Sequence, residues 1–225
     1  MDATLRIGLY GGTFDPVHIG HTAVAHALLK LFALDRVFFI PAYVAPHKRD
    51  TGVTPALHRY AMLALSTQFD TRLAVSTVEI DAPERPYTYE TLSRLQSSFG
   101  RGAQLFFLMG ADSWAEITTW REWERVLASS NHIVMARPGY EWGADHVTPA
   151  IRERIIDLRG AGEAEARRAV GESEDLKIYL TDAVNMDVSA TTIRSLRRDG
   201  RDDWVKLVSP AVADYIRKYG LYSKA

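Results

Sequence analysis

The sequence of 225 residues contains no cysteine, which excludes disulfide bonds and zinc sites built from thiolates. This absence fits a reducing compartment. The chain also lacks an excess of one charge, since 27 basic residues face 28 acidic ones and the formal net charge is -1. Proteins that bind polyanions usually carry a clear basic excess, so we expect no nucleic-acid partner. A small anionic ligand needs only a local cluster of donors and stays open.

Long hydrophobic runs are missing as well. The first residues, MDATLRIGLYGG, hold an acidic residue and a short apolar run that ends at two glycines. This pattern is typical of neither a signal peptide nor a membrane span, so we expect a cytoplasmic protein with no membrane contact. Hydrophobic residues make up 47% and charged residues 24%, which is ordinary globular usage with enough apolar side chains for a core. The length fits a single domain over residues 1–225.

Short apolar segments rich in β-branched and aromatic residues alternate with segments of helical pattern. The predicted strands are a first one from Leu5 to the glycine pair, then RVFFIPA, LAVSTVEI, AQLFFLMGAD, HIVMARPG and LKIYLTD. The predicted helices are VHIGHTAVAHALLKLFA, TPALHRYAMLALSTQ, TYETLSRLQSSF, REWERVLASS, one that opens at Ser189, and PAVADYIRKYG. This order predicts an α/β fold with a doubly wound, mostly parallel sheet and a C-terminal helical portion.

Two local features complete the predicted organisation. Asp15 and Pro16 look like an N-cap and a first helical residue, which places the start of the first helix there. Residues 141–175 carry many charges of both signs together with Ala and Gly. We expect this segment to be a solvated helix with a flexible connection and to be the least ordered part of the chain.

The stretch GGTFDPVHIGH, residues 11–21, carries the first functional signal. Gly11 and Gly12 follow the first predicted strand and allow the backbone to approach a ligand closely. The next helix offers unpaired N–H groups at its N-terminus, where anions bind. His18 and His21 are three residues apart on one helix face, so both rings could donate to phosphate oxygens. A lone histidine more often packs, but two at this spacing behind a glycine pair indicate a site for nucleotide phosphates.

GGTFDPVHIGH closely resembles the HxGH signature of the nucleotidyltransferase superfamily, and its full form resembles the bacterial nicotinate-nucleotide adenylyltransferase family. Further segments are similar to motifs of that family and occur in the same order along nearly the whole chain. They are PHK from Pro46, YTYETL from Tyr87, GADSW from Gly110, Trp120, RPG from Arg137, VSATTIR from Val188 and the C-terminal YIRKYGLY. Glu90 stands where the family usually has Asp, and Ala190 replaces a serine.

The resemblance implies a Rossmann-like nucleotidyltransferase fold and the transfer of the adenylyl group of ATP to nicotinate mononucleotide. The product is nicotinate adenine dinucleotide, formed in NAD biosynthesis. The expected ATP-binding residues are Gly11, Gly12, Thr13, Phe14, His18, His21, Ser189, Thr191 and Arg194. The expected catalytic residues are His18, His21, Lys48 and Arg194.

The resemblance also implies an acceptor side. Trp120 could stack on the pyridine ring, because a flat apolar platform suits an aromatic ring. Thr88 and Asp112 could hydrogen-bond the base or ribose, and His47 and Lys48 complete the expected acceptor-binding set. Magnesium is expected to arrive on the ATP phosphates, since Mg²⁺ usually binds through substrate phosphates and waters. We expect no metal cage made of protein ligands alone, and a homo-oligomer is possible.

Two other functions remain open at this point. The same chemistry could act on another acceptor, chiefly nicotinamide mononucleotide. Alternatively, the chain could be a regulatory module that binds nucleotide without turnover. Pyrophosphate release in the presence of ATP and an acceptor distinguishes the second alternative from an enzyme.

Overall fold

The computed structural model describes residues 4–43, 52–136, 142–171, 175–183 and 188–224. Its strands are β1 (Leu5–Gly12), β2 (Arg36–Pro41), β3 (Leu73–Val75), β4 (Ala103–Gly110), β5 (Asn131–Met135), β6 (Ile155–Asp157) and β7 (Ile178–Thr181). The α-helices in the described residues are α1 (Ile19–Leu31), α2 (Ala56–Thr67), α3 (Thr88–Phe99), α4 (Ala111–Ala115), α5 (Trp123–Ser129), α6 (Pro149–Arg152), α7 (Glu163–Gly171), α8 (Ala190–Arg198) and α9 (Pro210–Lys218).

The seven strands form one sheet in the order β3-β2-β1-β4-β5-β7-β6, and every neighbouring pair is parallel. The predicted doubly wound α/β class is therefore confirmed. The strand order reverses at β1, which pairs with β2 on one side and β4 on the other. In open α/β sheets, ligands bind at such a switch point, outside the carboxyl ends of the strands.

Helices cover both faces of the sheet, and β4 shows why. Its buried side chains alternate, with Phe106 and Leu108 in one apolar cluster and Leu105, Phe107 and Met109 in the other. Strand side chains point to opposite faces with a period of two, so a strand buried on both faces reads as a continuous apolar run. The two clusters form the cores between the sheet and its two helical layers.

Several elements differ from the sequence predictions: helix α4 was not predicted, since Ala111 and Asp112 were assigned to the preceding strand, and three further differences have clear physical reasons. The predicted strand LAVSTVEI pairs only over β3, because a turn follows in which the Asp81 N–H donates to the Thr77 carbonyl at 2.8 Å. Strand β6 was not predicted within residues 141–175, since its three paired residues lie among charged ones that hide the apolar pattern. Helix α1 begins at Ile19, later than Asp15 and Pro16 predicted.

No helix in the described part of the chain is long and apolar enough to span a membrane.

His132 in β5 makes the stability of the fold sensitive to acid. The side chain is completely buried, and its Nδ1 donates to the Ser130 carbonyl at 3.0 Å. Burial, helped by the nearby Arg154 charge, lowers the pKa of His132 from 6.5 to about 3. His132 is therefore protonated below pH 6.5 in the unfolded chain, but only below about pH 3 in the folded protein. Stability from this residue is present above pH 6.5 and is lost as the pH falls through that window.

We expect the free energy of unfolding to fall by about 2 kcal/mol between pH 7 and pH 5 because of His132 alone. Urea denaturation of the native protein and of His132→Asn at both pH values measures this contribution. Asparagine retains a donor for the Ser130 carbonyl and does not titrate. An equal loss of stability in both proteins contradicts the assignment.

Candidate active site

A cavity of about 760 Å³ lies at the carboxyl ends of β1 and β4, at the switch point of the sheet. It brings together many of the residues selected from the sequence. Those that line it are Gly11, Gly12, Thr13, His18, His21, Thr88, Asp112 and Trp120. Residues from β1, α1, α3 and the segment after β4 thus meet in one cavity, although they are up to 109 positions apart in the chain (from Gly11 to Trp120).

The glycine-rich turn after β1 depends on close packing by Phe14. A Cβ atom on Gly12 would lie 2.9 Å from the Phe14 ring, a distance that real Cβ contacts essentially never show. Phe14 adopts a left-handed backbone with φ of 50°, which turns the chain away from the strand. Its ring is buried and packs edge-on against His21, with centroids 4.9 Å apart. The backbone of Phe14 thus forms the turn, while its side chain supports the histidine.

The two histidines lie at the first turn of α1, and their rings stack with centroids 3.7 Å apart. His18 is the N-cap, and its backbone N–H donates to Nδ1 of His21 at 3.2 Å. Because Nδ1 of His21 accepts this bond, the proton of the neutral ring lies on Nε2. His21 therefore presents Nε2–H as a donor, and this tautomer is fixed by the backbone.

Packing of the His18 ring explains the glycine in the tetrad His18-Ile19-Gly20-His21. A Cβ atom at this position would lie 3.0 Å from Nδ1 and 3.1 Å from Cε1 of His18. The His18 ring therefore lies against the backbone of Gly20, where a side chain would push it aside. In this tetrad Gly20 leaves room for the His18 ring, and the backbone N–H of His18 orients the His21 ring.

Asp15 does not cap α1, so that prediction is wrong. Its carboxylate accepts a hydrogen bond from the Tyr222 hydroxyl at 2.6 Å and from the Thr54 N–H at 3.2 Å. These long-range donors occupy the side chain, and His18 takes the capping position. Burial, with the Asp15 charge next in importance, raises the pKa of Tyr222, so its hydroxyl stays protonated and donates.

The start of α8 reaches the same loop. Ser189 is the predicted N-cap and accepts a bond from the Thr192 N–H at 3.1 Å. Arg194 donates to the Asp15 carbonyl at 2.7 Å and to the Thr191 hydroxyl at 3.2 Å. Ser189, Thr191 and Arg194 are not among the residues that line the cavity, but Val188 before them is. Lys48 and His47 lie outside the residues that the structure describes.

Arg59 of α2 is the main structural residue that the sequence analysis missed. Its side chain is 1% exposed, and its guanidinium donates to carbonyls of three separate segments. The acceptors and distances are Thr54 at 2.8 Å, Thr13 at 2.7 Å, Ala42 at 2.6 Å and Tyr43 at 3.2 Å. Burial lowers the pKa of Arg59, while the Asp15 charge acts in the opposite direction. The sequence contains a signal for this role, because Arg59 shares a face of α2 with Met62 and Leu63, where a buried apolar residue is expected.

The other half of the cavity begins at α3. Glu90 accepts a bond from the Tyr87 N–H at 2.8 Å and so closes the first turn of the helix. Glu90, which stands where the family usually has Asp, therefore has a capping role in this chain. Thr91 donates to the Glu79 carboxyl at 2.9 Å. Burial raises the pKa of Glu79, and the bond from Thr91 opposes that shift.

Trp120 and Asp112 also line the cavity. The Trp120 ring is partly buried and packs edge-on to Phe107, with centroids 6.4 Å apart, while it still lines the cavity. Asp112 is exposed in the first turn of α4, and its carboxylate lies where a Cβ on Gly110 would be. Gly110 is therefore required for this side chain to take its position. In the described residues, no group of three or more His, Asp or Glu could hold a metal ion.

The fold is a parallel sheet with a cavity at its switch point, and the cavity holds a glycine turn and a histidine pair at a helix start. Together these features define a nucleotidyltransferase of the Rossmann-like class. The family model described as cytidylyltransferase-like matches residues 9–196. The chain belongs to this family.

Individual relatives are more specific. A protein of Desulfatibacillum aliphaticivorans named "Probable nicotinate-nucleotide adenylyltransferase" is 36% identical over 224 residues, which cover 97% of this chain and all of the relative. A Geobacter sulfurreducens protein of the same name is 36% identical and covers 97% of this chain and 99% of its own length. The resemblance read from the motifs is confirmed by these relatives.

A solved structure gives a likeness in fold alone. The nicotinic acid mononucleotide adenylyltransferase of Plasmodium falciparum, complexed with NaAD, superposes with a TM-score of 0.69 over 97% of both chains. Its sequence is 20% identical to this one.

Proposed function

We propose that the protein transfers the adenylyl group of ATP to nicotinate mononucleotide and so makes nicotinate adenine dinucleotide in NAD biosynthesis. An oxygen of the nicotinate mononucleotide phosphate attacks the α-phosphorus of ATP. The new P–O bond replaces the bond from the α-phosphorus to the bridging oxygen, and pyrophosphate leaves. The names of the full-length relatives support this acceptor.

One observation carries the proposal. A single cavity holds the stacked His18–His21 pair, with a fixed donor on His21, and an aromatic platform at Trp120. The first feature suits phosphates and the second suits a flat ring. An enzyme that joins two nucleotides requires both in one enclosure.

On the ATP side, the backbone of Gly11, Gly12 and Thr13, turned by Phe14, approaches the adenylate. His18 and His21 donate to its phosphates at the start of α1.

Ser189, Thr191 and Arg194 at the start of α8 are assigned to the β- and γ-phosphates, where the positive end of the helix favours anions. Lys48 is assigned to the bridging phosphate from the motif resemblance alone. The ATP substrate carries Mg²⁺ on its phosphates.

On the acceptor side, Trp120 stacks on the pyridine ring, and Thr88 hydrogen-bonds the base or ribose. The exposed Asp112 carboxylate faces the ribose, because beside the ring it would repel an acid substituent. His47 joins this set from the motif resemblance. The ligands are thus two small molecules held at the carboxyl edge of one sheet.

The chemistry needs little acid or base assistance. A phosphate monoester has a second pKa of about 6, so the attacking group is largely ionised at neutral pH. The protein's task is to align two anions and to stabilise charge on the pentacoordinate phosphorus and the leaving pyrophosphate. Neutral and cationic donors such as His21 and Arg194 suit that task better than a carboxylate pair.

Trp120→Ala is expected to raise KM for nicotinate mononucleotide roughly tenfold while KM for ATP stays nearly unchanged, because the stacking platform is lost. Steady-state kinetics with each substrate varied in turn measure the two constants. Trp120→Phe keeps a flat ring and serves as the matched control. A large rise in KM for ATP in the alanine variant shows that the ring acts only as core packing.

The proposed function is tested by pyrophosphate release from purified protein with ATP and Mg²⁺. The kcat/KM for nicotinate mononucleotide is compared with that for nicotinamide mononucleotide. A strong preference for the acid supports the proposal, whereas preference for the amide moves the chain to a different acceptor. ATP binding without pyrophosphate release from either acceptor contradicts an enzymatic role.

A further inference from the structure

The C-terminal end of the chain reaches the loop that connects the glycine turn to α1. Tyr222 follows α9, and its hydroxyl donates to Oδ1 of Asp15 at 2.6 Å. Asp15 is 6% exposed and stands between Thr13 and His18, which both line the cavity. The tail of the chain is thus attached to the part of the cavity wall that we assign to ATP.

The backbone of Tyr222 has a conformation that tyrosine rarely adopts. Its φ is 61°, in the left-handed region, which a residue with a Cβ atom enters only at a cost in free energy. Two contacts offset that cost, because the ring packs against the apolar cluster to which Phe14 and Val17 belong, and the hydroxyl bonds a buried carboxylate. A backbone outlier of this kind persists where surrounding contacts determine it, and it is a reason to look for a function.

Asp15 connects Tyr222 to α8. While Oδ1 accepts the tyrosine bond, Oδ2 accepts a bond from the Thr54 N–H at 3.2 Å. The main-chain carbonyl of Asp15 accepts a bond from Nη1 of Arg194 at 2.7 Å. Every oxygen of Asp15 therefore accepts a bond, and the donors belong to the C-terminal tail, the segment before α2 and α8. Because the carboxylate is fixed from two sides, the carbonyl that holds Arg194 is fixed as well.

The Arg194 guanidinium is held at two points and keeps other donors available. Besides the bond from Nη1 to Asp15, Nη2 donates to the Thr191 hydroxyl at 3.2 Å, one turn earlier on α8. The remaining N–H groups of Arg194 make no hydrogen bond within the described part of the chain. These groups can donate to a polyanion, and the two existing bonds set their direction.

We infer that Tyr222 and Asp15 are positioning residues that preorganise Arg194 for the β- and γ-phosphates of ATP. This inference rests on the proposed function, which assigns Arg194 to those phosphates. Tyr222 fixes the Asp15 carboxylate and the Asp15 carbonyl fixes the guanidinium, so neither residue has to touch ATP. Since the guanidinium is ordered before ATP binds, less conformational entropy is lost on binding. The expected effect is therefore confined to ligands that carry β- and γ-phosphates.

Tyr215 supplies a matched control from the same part of the chain. It lies on α9, and its hydroxyl bonds Nδ1 of His58 on α2 at 2.9 Å. Neither Tyr215 nor His58 is among the residues that line the cavity. Tyr215→Phe and Tyr222→Phe each remove one hydroxyl bond and keep the ring, so a general loss of stability appears in both variants.

The test measures the dissociation constants of ATP and of AMP, each with Mg²⁺, by calorimetry of the native protein and the two variants. For Tyr222→Phe we expect ATP to bind about tenfold more weakly, the size of one hydrogen bond to a charged group. AMP lacks the β- and γ-phosphates, so its binding should change by less than about twofold in that variant. Tyr215→Phe should leave both constants unchanged.

Asp15→Asn shows whether Tyr222 acts through Asp15. If it does, Tyr222→Phe adds little to the loss of ATP binding in Asp15→Asn, whereas independent residues give losses that add. Should Tyr222→Phe fail to fold, Asp15→Asn alone must weaken ATP more than AMP, or the inference is wrong.

The possible results distinguish this inference from the proposed function. Equal weakening of ATP and AMP by Tyr222→Phe means that the tail holds the whole turn and not Arg194 in particular, which overturns the inference. Unchanged binding of both ligands, or additive losses with Asp15→Asn, overturns it too. If the native protein binds ATP but releases no pyrophosphate with either acceptor, the proposed function fails, while a selective loss of ATP binding in Tyr222→Phe still supports the inference.

Discussion

Replacement of His18 by alanine is expected to lower kcat on the order of 10²-fold or more, with a much smaller effect on KM for nicotinate mononucleotide. The His18 ring lies in the cavity, against Gly20 and stacked on His21. We assign it to phosphate oxygens whose charge grows during transfer. A donor that acts mainly on developing charge contributes to the transition state more than to substrate binding.

Steady-state kinetics of His18→Ala, with His26→Ala as control, measure this effect. His26 lies on the same helix but is exposed, bonds Asp70 at 3.1 Å and is not among the residues that line the cavity. Its removal should leave kcat unchanged. Near-normal kcat in His18→Ala, accompanied only by a raised KM for ATP, would mean that His18 binds the ground state and does not act on the reacting phosphorus.

Replacement of Arg59 by methionine is expected to lower the free energy of unfolding by about 3 kcal/mol or more. The change keeps the apolar stem, but leaves carbonyls of Thr13, Ala42 and Thr54 without the guanidinium that now satisfies them. Such a loss is a large fraction of the 5–15 kcal/mol by which typical domains are stable. Since Thr13 belongs to the turn assigned to ATP, kcat/KM for ATP should also fall on the order of tenfold or more.

Urea denaturation and ATP kinetics of Arg59→Met are compared with those of Arg72→Met. Arg72 is an exposed arginine that pairs with Asp70 at 2.7 Å, and pairs of this kind contribute at most about 1 kcal/mol. Arg59→Lys should fall between the native protein and the methionine variant, because one ammonium cannot reach all three segments. If Arg59→Met is as stable and as active as Arg72→Met, the guanidinium does not hold the loops.

The parts of the fold predicted from sequence are those with strong local signals. Strands β1, β2 and β4 are apolar runs that end at glycine or proline, and all three were predicted close to their observed bounds. Ser189 was predicted as an N-cap, and its hydroxyl accepts the expected bond. The residue types predict the structure at these positions because apolar runs, chain breaks at glycine or proline and a serine N-cap are all determined by neighbouring residues.

The errors arise where distant residues decide the outcome. Aspartate is a typical N-cap residue, but the Asp15 carboxylate instead accepts a hydrogen bond from Tyr222, 207 positions later. Arg59 makes its bonds to three segments that only the folded sheet brings together. The three residues of β6 become a strand because β7 lies beside them. Apart from Thr54, which lies five positions before Arg59, these partners are too distant in the sequence for a local pattern to reveal them.

Part of the predicted set of site residues meets in one cavity, while Ser189, Thr191 and Arg194 do not line it and the roles of all these residues stay predictions. The motifs selected His18, His21, Thr88, Asp112 and Trp120, and the structure brings all five to one cavity. The fixed Nε2 donor of His21 follows from a backbone bond seen only in three dimensions.

The measurement that tests the central claim most directly follows the fate of labelled ATP. The protein is incubated with Mg²⁺, nicotinate mononucleotide and ATP labelled at either the α- or the γ-phosphate, and the products are separated. Our account predicts that the α-label appears in the dinucleotide and that the γ-label appears only in pyrophosphate. Transfer of the γ-label to the acceptor, or release of the α-label as free AMP, would contradict adenylyl transfer as the function of this site.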